Sequence, residues 1–267
     1  MTLIVLGSAN IDYTVVVDRR PEPGETVLAE RLVMGIGGKG ANQAVAAARA
    51  GARPIFLAAV GPDGSDLLDT LKRRGVDTSH VQHATVPTGI ALITVGADGE
   101  NTIVVAAGAN GRLDAAASAQ RVRDLDPDVL LAQLEVPVDV VLGAAREARR
   151  FVFNYSPALE VPAELIELAD PLIVNELEAR DLAAQPRSLV VTLGGDGARV
   201  TDAAGDIHIP APSVEVVDTT GAGDAFAGTL AALLSTGASL ADAVTAAVAA
   251  GSAAVAYVGA QPGTLES

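Results

Sequence analysis

The sequence contains no cysteine and no tryptophan, and only 3% of its residues are aromatic. Without cysteine there is no disulfide framework, no thiolate nucleophile and no zinc–thiolate centre, and a reducing compartment is permitted without being demanded. Positive charge is scarce as well: 18 Lys+Arg face 33 Asp+Glu, a formal net charge of −15, and the field of such a surface repels polyanions. Nucleic acid and acidic membrane surfaces are therefore poor partners. The N-terminus lacks a basic leader, its apolar run Leu3–Leu6 is too short for a signal peptide, and the expected setting is cytoplasmic. The least polar stretch, Ala243 to Gly259, is dominated by Ala, Gly and Ser, so a buried, closely packed helix is expected there in place of a membrane span. The three histidines, at 80, 83 and 208, follow no ligand spacing with acidic partners, and no G-x-S-x-G elbow marks a hydrolase.

What is present is apolar and periodic. With 267 residues, 49% of them hydrophobic, the chain can bury one sizeable core, and it reads as a single domain over 1–267 with no linker or internal repeat. Leu3–Leu6, Ile55–Val60, Val129–Leu134, Phe151–Phe153, Leu172–Val174 and Leu189–Thr192 read as buried strands separated by Ala-rich helical segments. That alternation predicts an α/β fold around a mostly parallel sheet. Tyr13–Val17 with Thr26–Val33, and Ile90–Val95 with Thr102–Ala106 joined through Asp98-Gly99, alternate with period two and predict a small accessory sheet.

In such folds ligands bind beyond the carboxyl ends of the parallel strands, so the polar residues that follow strand runs carry the interest. These are Asn10/Asp12, Gly37–Asn42, Glu135, Asn154, Asn175/Glu178 and Asp218–Asp224. In Asp218-Thr219-Thr220-Gly221-Ala222-Gly223-Asp224, small residues before a long Ala/Leu helix let backbone N–H groups approach an anion. Asp224, in that helix's first turn, would repel the anion unless it accepts a proton from an attacking hydroxyl; a plain role complementing the helix dipole is the alternative. The cluster Gly35–Gly40 fails as a P-loop, having Val33 and Gly40 where that pattern needs Gly and Ser/Thr. Its Lys39 is one of only two lysines in the chain, and it is either a ligand-facing ammonium or a solvated loop residue. Asn10 and Asp12, two apart, share one face of an extended segment and suit vicinal sugar hydroxyls, or simply make a turn. Glu135 ends a strand run, where a polyol could pair its charge. Asn175-x-x-Glu178 is a capping box or a carboxylate poised for Mg²⁺ near phosphates, and Thr192–Gly197 is a β-turn or a passage beneath a nucleotide.

Taken in order, Gly7–Asp12, Gly37–Ala44, Gly99–Thr102, Asn175–Glu178, Asp218–Asp224 and Gly259–Pro262 resemble the motifs of the ribokinase-like (PfkB) carbohydrate kinases, over Leu3 to Pro262. The resemblance implies a three-layer fold with a β-sheet lid, formed by segments of about 13–34 and 88–107, that doubles as a homodimer surface. It implies ATP-dependent phosphorylation of the 5-hydroxyl of ribose, with another sugar or a nucleoside (fructose, adenosine) as the alternative acceptor, and a non-catalytic sugar- or nucleotide-binding protein as the alternative class. Asn10, Asp12, Gly38, Lys39, Asn42 and Glu135 would hold the sugar, Asp224 would be the base, and the Ala222 and Gly223 amides the anion hole. Asn175, Thr192, Gly194, Gly197 and Gly223 would line the ATP site, and Glu178 would organise Mg²⁺. A K⁺ site would use Asp218 with carbonyls of Thr220, Ala254, Tyr257 and Gly259. Three departures from the family stand out: only ten residues separate Glu178 from Leu189, no closing helix follows Gln261-Pro262, and Gly263 replaces a small hydroxyl residue.

Overall fold

The computed structural model describes residues 1–98, 100–182, 184–257 and 259–260. From the N-terminus come β1 (Leu3–Leu6), β2 (Asn10–Val16), β3 (Arg31–Gly37) and α1 (Lys39–Arg49). Next are β4 (Ile55–Leu57), β5 (Ala59–Val60), α2 (Ser65–Arg73), β6 (Gln82–His83), β7 (Gly89–Val95) and β8 (Asn101–Ala106). The central part holds α3 (Ala115–Leu125), β9 (Val129–Ala132), α4 (Val138–Ala145), β10 (Phe151–Asn154), α5 (Ala163–Glu167) and β11 (Ala169–Asn175). The chain continues through β12 (Leu189–Thr192), β13 (Ala198–Asp202), β14 (Gly205–Ile209), α6 (Ala222–Ser235) and α7 (Leu240–Ala254).

The large sheet has the order β14-β13-β12-β11-β10-β9-β1-β4, parallel from β4 to β12 and antiparallel across β12-β13-β14. Its central strands are continuous apolar runs because both faces are covered. Leu3, Val5, Leu131, Val152 and Ile173 pack into one core with α1, α2, α6 and α7, while Ile4, Leu6, Leu130, Phe153 and Leu172 pack into a second core with α3, α4 and α5. Successive side chains on a strand point to opposite faces, and each side chain removed from water contributes roughly 1.5–3 kcal/mol.

The four-stranded sheet, ordered β3-β2-β7-β8, stands apart from the large one and exposes Leu32, Met34, Ile103 and Val104. Several boundaries differ from those expected. The strand expected over Thr26–Val33 lies at Arg31–Gly37, so half of the glycine cluster is strand. The run Ile55–Val60 divides between β4 in the large sheet and β5, which pairs with β6. The Val129–Leu134 strand stops at Ala132, and the helix expected over Ala243–Gly259 occupies Leu240–Ala254. β7 and β8 pair as the Asp98-Gly99 hairpin predicts, although Gly99 lies outside the described residues, as do Gln261, Pro262 and Gly263.

Candidate active site

In the large sheet β1 lies between β9 and β4, the point at which strand order reverses and a crevice opens beyond the carboxyl ends. Ser8, which follows β1, and Glu135, which follows β9, meet across that point: the Ser8 hydroxyl donates to Glu135 Oε2 at 2.5 Å. The same oxygen accepts the Lys39 backbone N–H at 2.9 Å. Lys39 therefore opens α1, with Gly38 at the cap in the left-handed region (φ 87°), and the side chain stands on a helix N-terminus and not in a solvated loop. Glycine at position 40 is a packing requirement. A Cβ there would fall 2.6 Å from the Gly7 carbonyl carbon, so only glycine lets this first turn lie on the turn after β1.

Asn10 opens β2 and Asp12 sits two residues on, both facing the same way, with Gly37 and Gly35 of β3 opposite them. Asn10 is buried at 2% exposure. The Asp12 carboxylate fills the space where a Gly37 side chain would be, since a Cβ at Gly37 would lie 1.9 Å from Asp12 Oδ2. Asp12 Oδ1 is buried without a hydrogen-bond partner among the described residues. Burial first, and then the negative charge of Glu135, push the Asp12 carboxyl from an ordinary 3.8 up to about 7.

Asp224 lies in the first turn of α6, after Gly221 in the left-handed conformation (φ 78°). It is 7% exposed, and two amides from α1 grip it: Asn42 Nδ2 donates to Oδ2 and Gln43 Nε2 to Oδ1, each at 3.0 Å. Burial pushes its carboxyl up; Lys39 and the two amides pull it down, and Glu135 adds to the rise. The Lys39 N–H on Glu135 and the Asn42 and Gln43 amides on Asp224 bring both carboxylates to the same end of α1. The grip requires α6 to touch α1 closely, and Gly228 allows it, because a Cβ there would lie 2.3 Å from the Gln43 carbonyl oxygen.

At the start of α6 a cavity of about 410 Å³ brings Thr192, Gly194 and Gly197 together with Ala222 and Gly223, closed by Val214, Val216, Phe226, Val248 and Val255. Thr192 to Gly197 is a 3-10 turn over Gly194–Asp196, not the plain β-turn. Asn175 pairs with Thr192 at the end of β11. Asn175 Oδ1 accepts the Leu177 and Glu178 N–H groups at 2.9 Å, while Glu178 Oε2 accepts the Asn175 N–H at 2.8 Å. This is the capping box of the sequence pattern, and Glu178 Oε1 has no hydrogen-bond partner among the described residues. Asn154 ends β10, buried, between these strands and Glu135.

Asp218 ties two loops to the start of α6: Oδ1 accepts the Thr220 N–H and Oδ2 the Gly259 N–H, both at 2.8 Å. Burial pushes its carboxyl up, but these backbone donors outweigh that and hold it below the usual range. Ala254 ends α7, and its carbonyl accepts the Tyr257 N–H at 3.4 Å. The segment presses on the glycine turn, as a Cβ at Gly221 would lie 2.5 Å from Ala260 Cα.

Three residues at the site escaped the sequence reading. Gln43 had a signal, since it lies four residues after Lys39 on the same helix face and α1 begins at Lys39. Ser8 and Asn110 had none, because their partners Glu135 and Asn10 are about a hundred residues or more away.

Carboxylates and amides just past the strand ends, a gripped carboxylate at a helix N-terminus and a cavity beside that helix start fit a small-molecule phosphotransferase. Residues 2–267 match the model of the pfkB family carbohydrate kinases, and the chain belongs to that family, as an ATP-dependent carbohydrate kinase. It is 37% identical to the ribokinase of Bacillus subtilis (strain 168) over 279 residues, covering 98% of this chain and 95% of that one. Its fold is similar to that of the ribokinase from Thermotoga maritima, with a TM-score of 0.91, 31% identity, and 97% and 94% of the two chains covered. The Arabidopsis thaliana ribokinase complexed with ribose and ATP gives a TM-score of 0.87 at 28% identity, again over 97% and 94%.

Proposed function

We propose that the protein transfers the γ-phosphoryl group of ATP to the 5-hydroxyl of ribose, with Asp224 as the base. The observation that carries this reading is Asp224 in the first turn of α6, next to the Ala222 and Gly223 that line the cavity, with both carboxylate oxygens fixed by Asn42 and Gln43. A fixed carboxylate whose basicity burial has raised accepts a proton from an adjacent hydroxyl, and the resulting oxygen attacks the phosphorus as ADP leaves. Asn10, Asp12, Gly38, Lys39, Asn42 and Glu135 grip the sugar. Charge-assisted hydrogen bonds of the Asp12 and Glu135 kind contribute roughly 1.5–3 kcal/mol each. The Gly223 amide, in a helical first turn that has no intrahelical acceptor for it, and the Ala222 amide, whose bond to the Thr219 carbonyl is a long 3.3 Å, receive the charge that develops on the phosphoryl oxygens.

The cavity of Thr192, Gly194, Gly197 and Gly223, with its apolar wall and with Asn175 paired to Thr192 on the neighbouring strand, takes the nucleotide. Glu178 would hold Mg²⁺ through a carboxylate oxygen, a hard donor that suits that ion, and the ion would neutralise phosphate charge. Asp218 with the carbonyls of Thr220, Ala254, Tyr257 and Gly259 would hold K⁺, and the ion would stiffen the glycine turn that Asp218 already ties to Gly259; Gly263 lies outside the described residues. The chain acts as one kinase domain, with the four-stranded sheet as a lid over the sugar cleft. The exposed apolar residues of that sheet, Leu32, Met34, Leu92, Ile103, Val104 and Val105, support its pairing with a second copy as a homodimer. No described helix is long and apolar enough to cross a membrane. ADP release measured across ribose, deoxyribose, fructose and nucleosides tests the reading; ribose should give the highest kcat/KM, and turnover confined to a nucleoside or absent with every acceptor overturns it.

A further inference from the structure

A buried amide outside the sugar-gripping set controls one of its members. Asn110 is 1% exposed and lies in the 3-10 helix Gly108–Arg112, directly after β8. Its Oδ1 accepts the backbone N–H of Ala9 at 2.9 Å, and its Nδ2 donates to Asn10 Oδ1 at 2.7 Å. The direction of this relay is forced, because a backbone N–H can only donate. The Asn110 oxygen must therefore face Ala9, its NH₂ must face Asn10, and Asn10 must answer with its own oxygen. What remains on Asn10 is the Nδ2 amine, which has no acceptor among the described residues. Glycine at position 89 makes room for the relay, as a Cβ there would lie 2.2 Å from Asn110 Nδ2 and 2.3 Å from Asn10 Oδ1. Gly108 (φ 51°) and the bond from the Ala109 N–H to the Pro87 carbonyl, 2.9 Å, hold the 3-10 helix against the entry to β7.

We propose that Asn110 is a positioning residue for the sugar, fixing the amide of Asn10 so that it meets a sugar hydroxyl as a donor beside the acceptor Asp12. Asn110 touches no substrate; it removes the choice Asn10 would otherwise have between presenting an oxygen and presenting an amine. Because it follows β8 and packs on Gly89 of β7, it also ties the base of the four-stranded sheet to that choice. The inference rests on the sugar-kinase reading above.

The test is Asn110→Asp, whose carboxylate still accepts from Ala9 but cannot donate to Asn10, so the Asn10 amide reverses. The expected result is a KM for ribose raised roughly tenfold or more, with kcat within about threefold and the KM for ATP unchanged. In an Asn10→Ala background the same change should add less than about twofold, because the group it orients is gone. Asn10→Asp, which leaves Asn110 in place and keeps an acceptor for it, should weaken ribose binding by calorimetry to a similar degree, and it decides the matter should Asn110→Asp fold poorly. Additive effects in the double variant, a matching rise in the KM for ATP, or Asn10→Asp binding ribose as tightly as the parent would each overturn the proposal. If the unaltered protein binds another sugar and not ribose, the acceptor assignment fails instead, and the same variants read out on that sugar.

Discussion

Asp12 should make the enzyme less stable in return for substrate grip, and one substitution separates the two effects. Its carboxyl is raised from 3.8 to about 7 by burial and by Glu135. Between those values the folded chain holds a proton that the unfolded chain has released, so this group's stabilising contribution is complete below pH 3.8 and is lost as pH rises to 7. At roughly 1.4 kcal/mol per pH unit, the penalty above pH 7 amounts to about 4 kcal/mol, of which about 3 kcal/mol builds up between pH 5 and pH 8. A carboxamide does not ionise, so Asp12→Asn escapes it. The Tm advantage of the variant over the parent should therefore grow by roughly 5–10 °C from pH 5 to pH 8. Ribose affinity should move the opposite way, falling by roughly 10- to 150-fold at pH 8 with the charge-assisted bond removed. In the parent, the KM for ribose should improve about tenfold from pH 6 to pH 8 as Asp12 ionises, and the variant should lose this dependence. Scanning calorimetry at the two pH values and titration with ribose check both arms. A Tm difference that is the same at pH 5 and pH 8 would refute the burial argument, whatever happened to binding.

Asp224→Asn should lower kcat by about 10²-fold or more while ribose affinity stays within several-fold, because the amide keeps the shape held by Asn42 and Gln43 and loses the basicity; wild-type turnover would remove Asp224 from the mechanism. Gly228→Ala should destabilise by about 1–3 kcal/mol despite the better helix former, since its Cβ meets the Gln43 carbonyl oxygen at 2.3 Å, whereas Gly143→Ala in α4, with its nearest neighbours at 3.7 Å, should stabilise by up to about 1 kcal/mol. Urea denaturation of the pair decides it, and equal shifts would mean that the α1–α6 contact is not tight. Initial rates at constant ionic strength in KCl and NaCl should be higher with K⁺, mainly through kcat, and Asp218→Ala should abolish the difference; equal rates in the two salts would dismiss the cation site.

The element types and the side of the sheet that carries chemistry were legible because they rest on local rules. Runs such as Leu3–Leu6 and Phe151–Phe153 are apolar at every position only if both faces of a strand are covered, and both are. The capping box at Asn175 and Glu178, and the place of Asp224 in a helical first turn, follow equally from short-range spacing. Boundaries were less legible. Gly35 to Gly37 looked like loop on composition, yet β2 pairs with them throughout and makes them strand, a long-range contact overriding propensity.

By itself, then, the sequence determined an α/β chain with a parallel sheet, a glycine turn feeding a helix, and polar residues placed just past strand ends, because periodicity and turn chemistry act over a few residues. Only the tertiary structure decided which of those residues meet. Asn42 and Gln43 reach Asp224 across about 180 positions, and Ser8 reaches Glu135 across 127. Asp12 acquires its raised carboxyl from burial against Gly37 and from the charge of Glu135. Desolvation and hydrogen-bond direction depend on what surrounds a group in space, and no local pattern encodes that until the sheet and the helices have closed around it.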